Sequence, residues 1–284
     1  MKIFYQKPLK RLTSFKQSGH SGQIYEFEDL NTLSSILPLL PEYTILGAGS
    51  NILFDTQKPL LPIVKLSPSF GDVQKLNDFS IRLPGGLSIR DALKITAKHQ
   101  LSGLEFAAGV PASIGGMVAM NFGCWGYEIA DYINQVHVMY PNGRSEWISK
   151  EICHFQYRRS ALLEKKWLCL EIEFCLKKSN QELSQNLIKS FLKKRKDSQP
   201  LNLCSFGSVF KNPIPLTAGK ILDQCNAKAL NKGCIHVSQK HANFLVNELP
   251  GEASFQDALS LIKTLQQKAY HYSKTKLELE VQII

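Results

Sequence analysis

A chain of 284 residues with 44% hydrophobic residues fits one large domain or two to three smaller ones, and it shows no repeats or low-complexity tracts of a solenoid or disordered protein. Its net charge of +10 attracts polyanions, but the basic residues are spread out and form no nucleic-acid motif; small ligands carrying diphosphates suit the charge equally well. The longest apolar-looking run, "LSSILPLLP" at 33–41, is too short and too broken by proline to span a membrane.

Taken in chain order, the opening "MKIFYQKPLKRL" has positive charge but no apolar core of a signal peptide, so a cytoplasmic protein is expected. Residues 43–54, "YTILGAGSNILF", read as strand, glycine turn, strand. Residues 88–100 read as a helix: Ser88 caps it, Asp91 completes a capping box, Ile89, Leu93 and Ala97 share a face, and Gly103 stops it. Asn142-Gly143 between the alternating segments of 136–148 signals a hairpin. "LCLEIEF", 168–174, alternates as a strand. Over 181–196 a helix is expected, with Leu183, Leu187, Ile188, Phe191 and Leu192 as one apolar stripe. The run Lys193–Lys196 ends it as solvated cations that complement the helix dipole. "DSQPLNL" then looks like a boundary. A helix near 217–226, the strand "NFLVN" at 243–247 and a helix near 254–270 follow. In the final "LELEVQII", Leu277, Leu279, Val281 and Ile283 share one strand face and Glu278, Glu280 and Gln282 the other. Hairpins and helices mix without steady βαβ alternation, so the fold class is α+β. The seven cysteines show no zinc spacing, so no metal is expected and most read as buried small apolar residues.

Two loops are dense in glycine. "GAGSNILF" begins as G-x-G, but Ile52 stands where a dinucleotide fingerprint needs its third glycine, and the segment continues as a strand. It reads either as a plain hairpin turn or as a turn whose N–H groups converge on an anion. "GLEFAAGVPASIGGMVAMNFGCWGYEIAD", 103–131, permits close backbone approach to something flat or phosphorylated, or a tight helix–loop crossing. On local grounds Ser208, in "CSFGSVFKNP", is a turn hydroxyl or a proton donor. His241 reads as a substrate contact or a structural histidine, His20 as a surface loop residue rather than a point of covalent flavin attachment, and Trp125 as packing.

The ordered set "LGAGSNILF", the 103–131 loop, "FQYRRS", "SFGSVFKNP", "AGKILDQC", "VSQKHANFLVN" and "LELEV" resembles the bacterial UDP-N-acetylenolpyruvoylglucosamine reductases over nearly the whole chain. The resemblance, to the compact subtype, implies an FAD-binding region of two α+β subdomains, 1–65 and 66–200. A smaller substrate-binding domain at 201–284 would follow, its last strand carrying a catalytic glutamate. It implies NADPH-dependent reduction of a UDP-sugar enol ether through noncovalent FAD, with neither nucleic acid nor membrane as partner. By position, Gly47, Ala48, Gly49, Ser50, Asn51 and Ile52 would flank the flavin diphosphate together with Gly109, Ser113, Gly115 and Gly116, with Asn121 and Gly123 nearby. Arg158, Ser208 and Glu280 match the catalytic groups, and Tyr157, Lys211 and Asn212 would meet substrate.

The sequence departs from the family pattern at Ala112, whose methyl is expected to crowd a turn, and at Arg159, where an aspartate is usual. Ser198 replaces a common lysine, so either Lys196 supplies that cation or none does, and "NAKA" at 226–229 and "QSGHSG" at 17–22 also differ. Two other readings make different predictions. An FAD-dependent oxidase with a similar flavin domain would reoxidise rapidly in air; a nonenzymatic anion binder would purify colourless.

Overall fold

The computed structural model describes all residues, 1–284, and they form two compact units that are interleaved in sequence. The first comprises Met1–Phe4, Gln23–Ala48 and Leu61–Lys194; the second comprises Tyr5–Gly22, Gly49–Leu60 and Arg195–Ile284. The sequence reading set three consecutive domains instead. Long-range pairing explains the interleaving. Asn247 Nδ2 donates to the Phe15 carbonyl at 2.9 Å, and Ser18 N–H to the Ala253 carbonyl at 2.9 Å, so an early segment folds with late ones.

The first unit holds two larger sheets and two short two-stranded ones. One has the order Lys2–Tyr5, Gln23–Phe27, Ile63–Leu66, Thr44–Ile45, and the last three strands run parallel. Phe27, Leu33, Tyr43 and Val64 form its core with Met139, Leu168 and Leu170. The second is antiparallel, in the order Ser145–Ser149, Ile133–Met139, Leu168–Cys175, Ser80–Pro84, Gln74–Lys75. The expected hairpin forms, with Gly143 N–H on the Tyr140 carbonyl at 2.9 Å. The helix Ile89–Lys98 starts as its sequence dictates, because Ser88 accepts from Asp91 N–H at 3.1 Å and donates to its carboxylate at 2.7 Å. It stops before Gly103, at Gln100, which takes a left-handed φ of 59°.

The helix Gln181–Ser198 corrects its own pattern. Ile188 and Phe191 pack on the first unit's core, whereas Leu183, Leu187 and Leu192 are exposed. Nor is the basic run uniformly solvated: Arg195 is buried. Only Cys153 and Cys169 of the seven cysteines are buried, and all seven are free thiols.

In the second unit, Cys204–Ser208, Phe244–Asn247, Ile235–Val237 and Asn231–Lys232 form an antiparallel sheet in that order. The helices Ala218–Gln224 and Phe255–Ser273 supply Ile221, Leu222, Leu261, Ile262 and Leu265 to its core. The strands flanking the first glycine turn do not form a hairpin. Thr44–Ile45 pairs with Ile63–Leu66, and Ile52–Leu53 pairs in parallel with Gln282–Ile283. No helix is long and apolar enough to cross a membrane.

Candidate active site

In the first unit the glycine residues of the two loops approach one another. A Cβ on Gly47 would overlap Ser113 Oγ and lie 3.7 Å from Gly116 Cα. Ser113 caps the helix Ile114–Ala119, accepting from Gly116 N–H at 3.4 Å. The donors just before it are used inside the protein: Ile114 N–H meets the Leu87 carbonyl at 2.9 Å and Gly115 N–H the Gly85 carbonyl at 2.8 Å. Gly115 is therefore a packing position, where a Cβ would lie 3.0 Å from the Gly85 oxygen and 3.2 Å from that of Cys169. The sequence reading passed over Gly85 and Gly86, although "PGG" directly before the capping segment was a signal of such close packing. Gly109 is exposed with φ 82°, while Ala112 stays outside the left-handed region and its methyl packs against the first unit's core.

The unused donors lie in the first turn. The N–H groups of Gly47 and Ala48, at the end of the first unit's segment, and of Gly49 and Ser50, which open the second unit's segment, donate to no protein acceptor. Such a run of backbone donors suits an anion. Lys65 Nζ donates to the Gly47 carbonyl at 2.7 Å, fixing the start of this turn. Gly49 has φ 68°, and a Cβ there would overlap the Leu12 carbonyl, so only glycine fits. These features fit a flavin diphosphate.

Tyr157 and Arg158 form the tip of a tight turn closed by two 3.0 Å backbone bonds between Gln156 and Arg159. Arg158 is held at φ 58°, a strained value for a side chain of its kind. Its Nη2 donates to the Gly123 carbonyl at 2.8 Å, and its guanidinium lies 5.0 Å from the Tyr157 ring centroid and 5.8 Å from that of Phe122. Asn121 holds this arrangement from beneath. Its Nδ2 donates to Glu128 Oε2 at 2.8 Å and the Gln156 carbonyl at 3.0 Å, and its Oδ1 accepts from Ala130 N–H at 3.3 Å. The buried amide thus ties the 156–159 turn to the hairpin that begins at Gly123. The sequence-predicted Trp125 packs at that hairpin's tip, stacked on Phe191 at 5.4 Å.

In the second unit, Gly207 takes φ 79° and the register slips between Ser205 and Ser208, a bulge that re-aims the following side chain. Ser208 is half-buried and its hydroxyl makes no hydrogen bond within the protein. The next carbonyl, of Val209, accepts Glu280 N–H at 2.9 Å and Val281 N–H at 3.3 Å. Lys211 N–H donates to the Glu278 carbonyl at 2.9 Å, and Phe210 pairs antiparallel with Leu279. From its other side the same segment is held by Asn51, whose Nδ2 donates to the Glu280 carbonyl at 2.9 Å and whose carbonyl accepts Gln282 N–H at 2.9 Å. The backbones of Ser208, Glu280 and Asn51 are thereby brought together.

The two glutamates differ. Glu278 is exposed and pairs with Lys211 Nζ at 3.6 Å, whereas Glu280 is half-buried. Asn212 Oδ1 accepts from Ala218 N–H at 3.1 Å at the start of a helix. The sequence reading did not single out Asn243, although "HANF" is among the motifs it quotes. Its buried side chain brackets Phe210, accepting from the N–H at 3.0 Å and donating to the carbonyl at 2.8 Å. His241 Nδ1 accepts from Asn243 N–H at 3.2 Å, and burial pushes its pKa below the ordinary value of 6.5. Neutral His241 therefore carries its proton on Nε2.

Known proteins share this architecture. The C-terminal-domain family of UDP-N-acetylenolpyruvoylglucosamine reductases matches residues 199–284, and an FAD binding domain family matches residues 29–149. The UDP-N-acetylenolpyruvoylglucosamine reductase of Bacillus pumilus is 33% identical, the match covering 100% of this chain and 94% of that protein. The chain belongs to the UDP-N-acetylenolpyruvoylglucosamine reductase family. Its relative of the same name from Clostridioides difficile is 32% identical over 99% of this chain and 93% of that one. The crystal structure of UDP-N-acetylenolpyruvylglucosamine reductase from Thermus caldophilus superposes with a TM-score of 0.84 at 29% identity, covering 100% of this chain and 99% of that one. The α+β fold is the family's, and the protein is an FAD-containing oxidoreductase.

Proposed function

We propose that this protein reduces UDP-N-acetylglucosamine enolpyruvate to UDP-N-acetylmuramate with NADPH, in the cytoplasm, as a step of peptidoglycan precursor synthesis. The observation that carries this reading is the backbone register around Val209. It sets an unengaged serine hydroxyl beside the backbone of a half-buried carboxyl, in a chain of this family.

Bound FAD supplies two-electron chemistry, which moves reducing equivalents from NADPH to the enol-ether β-carbon. Gly47–Ser50 would hold its diphosphate with their N–H groups, and Asn51 and Ile52 continue that turn. Gly109, Ser113, Gly115 and Gly116 belong to the second loop that would flank it, and Asn121 and Gly123 fix the neighbouring hairpin. Reduction places negative charge on the carbon next to the substrate carboxylate. Arg158 pairs with that carboxylate through its planar fork and stabilises the charge. Glu280, protonated, donates a hydrogen bond to the same enolate. Ser208 then delivers its proton to the carbanion: an alcohol is a weak acid, but an enolate carbon is basic enough to take the proton from one held in place. Tyr157 lines the substrate beside Arg158, while Lys211 and Asn212 bind its phosphate or sugar.

The test is a visible spectrum of the purified protein before and after NADPH, then after the enol ether. Bleaching by NADPH and recovery on adding the enol ether without oxygen support the reading. A colourless protein, or recovery only in air, overturns it. Ser208→Ala should bleach normally and recover roughly 10²–10⁴-fold more slowly, the scale of a lost general acid. Recovery at the native rate would place the proton donor elsewhere.

A further inference from the structure

We infer that Lys65 is a positioning residue for the diphosphate-binding turn, a role that rests on the placement of the FAD diphosphate at Gly47–Ser50 proposed above. Lys65 lies on the strand Ile63–Leu66, whose neighbour is Thr44–Ile45 in parallel register. That strand leads directly into the turn, and Leu46 N–H still bonds the Val64 carbonyl at 2.9 Å. One residue later the ladder ends. Gly47's carbonyl is taken by Lys65 Nζ at 2.7 Å instead of by a strand.

This exchange has two consequences. A bare carbonyl in this turn would repel a diphosphate; the one at Gly47 is engaged by an ammonium, which leaves the turn to offer N–H groups. Four successive ones, Gly47 to Ser50, have no protein acceptor. Second, the half-buried ammonium sets a positive charge one hydrogen bond from the turn, where partial burial protects it from screening. Gly47 itself cannot be replaced by a larger residue that would stiffen the turn, because Ser113 Oγ occupies the space of a Cβ. The side chain of Lys65 thus fixes a peptide that has no side chain of its own.

The experiment measures binding of FAD and of riboflavin, which lacks the diphosphate, to the apoprotein by fluorescence quenching at low and high salt. For Lys65→Met the dissociation constant for FAD should rise about 10- to 100-fold, the effect of a charge-assisted bond. Its salt dependence should shrink, and riboflavin should bind as in the native protein. Lys65→Arg should restore FAD binding to within about threefold, since guanidinium keeps the charge and donors. Unchanged FAD affinity in Lys65→Met, or an equal loss for FAD and riboflavin, overturns the inference. Gly47→Ala separates this from the site assignment. If Gly47→Ala binds FAD normally, the diphosphate lies elsewhere; if it binds poorly while Lys65→Met does not, only the role of Lys65 fails. Circular dichroism and melting of the apoproteins identify a variant that fails to fold, and Lys65→Gln then replaces methionine in the same comparison.

Discussion

Removing the Asn243 side chain tests how the segment after Ser208 is held. The carboxamide makes two hydrogen bonds to one residue, 3.0 Å from Phe210 N–H and 2.8 Å to its carbonyl, and both residues are buried. In Asn243→Ala both Phe210 groups lose their partner where water does not reach. At roughly 1–3 kcal/mol for each stranded group, the loss is about 2–6 kcal/mol. Asn243→Asp keeps an acceptor for Phe210 N–H but sets a carboxylate against its carbonyl, so it should fall in the same range. Urea unfolding of the apoprotein measures this as a lower midpoint at unchanged slope. The functional readout is reoxidation of the reduced enzyme by substrate, because Val209 and Phe210 fix both Ser208 and the Glu280 backbone. A loss below about 1 kcal/mol in Asn243→Ala, with native reoxidation, would refute the argument that this amide is the anchor.

Three further outcomes are expected. Glu280→Gln should cost about 2–4 kcal/mol of transition-state stabilisation in single-turnover reoxidation, the scale of one oxyanion donor, while Glu278→Gln does little; equal small effects would move the acid elsewhere. Burial lowers the His241 pKa below 6.5, so the unfolded chain binds that proton at higher pH than the folded protein does. Its contribution to stability is therefore intact above pH 6.5 and lost as pH falls through the folded value; in His241→Gln the stability–pH curve should be flatter in that window, and an identical slope would contradict the burial argument. Burial pushes the Cys153 thiol to about 12, whereas Cys175 is exposed. A thiol reagent at pH 8 should therefore modify Cys175 in the native protein and spare Cys153, which labels only on unfolding.

What was legible in the sequence was mostly local. The helix Ile89–Lys98 begins at its expected cap because Ser88 and Asp91 are three residues apart, and the Asn142-Gly143 hairpin closes through adjacent residues. Pairings between distant segments were not legible. The strand Ile52–Leu53 finds its partner at Gln282–Ile283, so the glycine turn that reads locally as a hairpin is not one. The leucine stripe on Gln181–Ser198 misled because periodicity shows which residues share a face but not how much of it meets a core. Asn121 and Gly115 carry similar ambiguity: small or polar residues in a loop dense in glycine read as ligand contacts, and here their groups meet other parts of the protein. Lys65 and Asn243 left no local sign, since each acts on a backbone group brought near by the fold.

The second unit shows how the final segment of the sequence is held beside Ser208. Glu280 lies outside regular strand structure, yet its peptide is held on both sides, by the Val209 carbonyl on its N–H and by Asn51 Nδ2 on its carbonyl. A carboxyl on a peptide fixed in this way loses little further freedom when it engages a ligand. Ser208 gains from the same anchor, because the carbonyl that accepts Glu280 N–H belongs to the residue immediately after it. The bulge at Gly207 then turns the hydroxyl out of the ladder, leaving it without a protein partner. Ser208 and the Glu280 peptide are thus tied to one carbonyl, that of Val209, so a change in the strand Cys204–Ser208 bears on both.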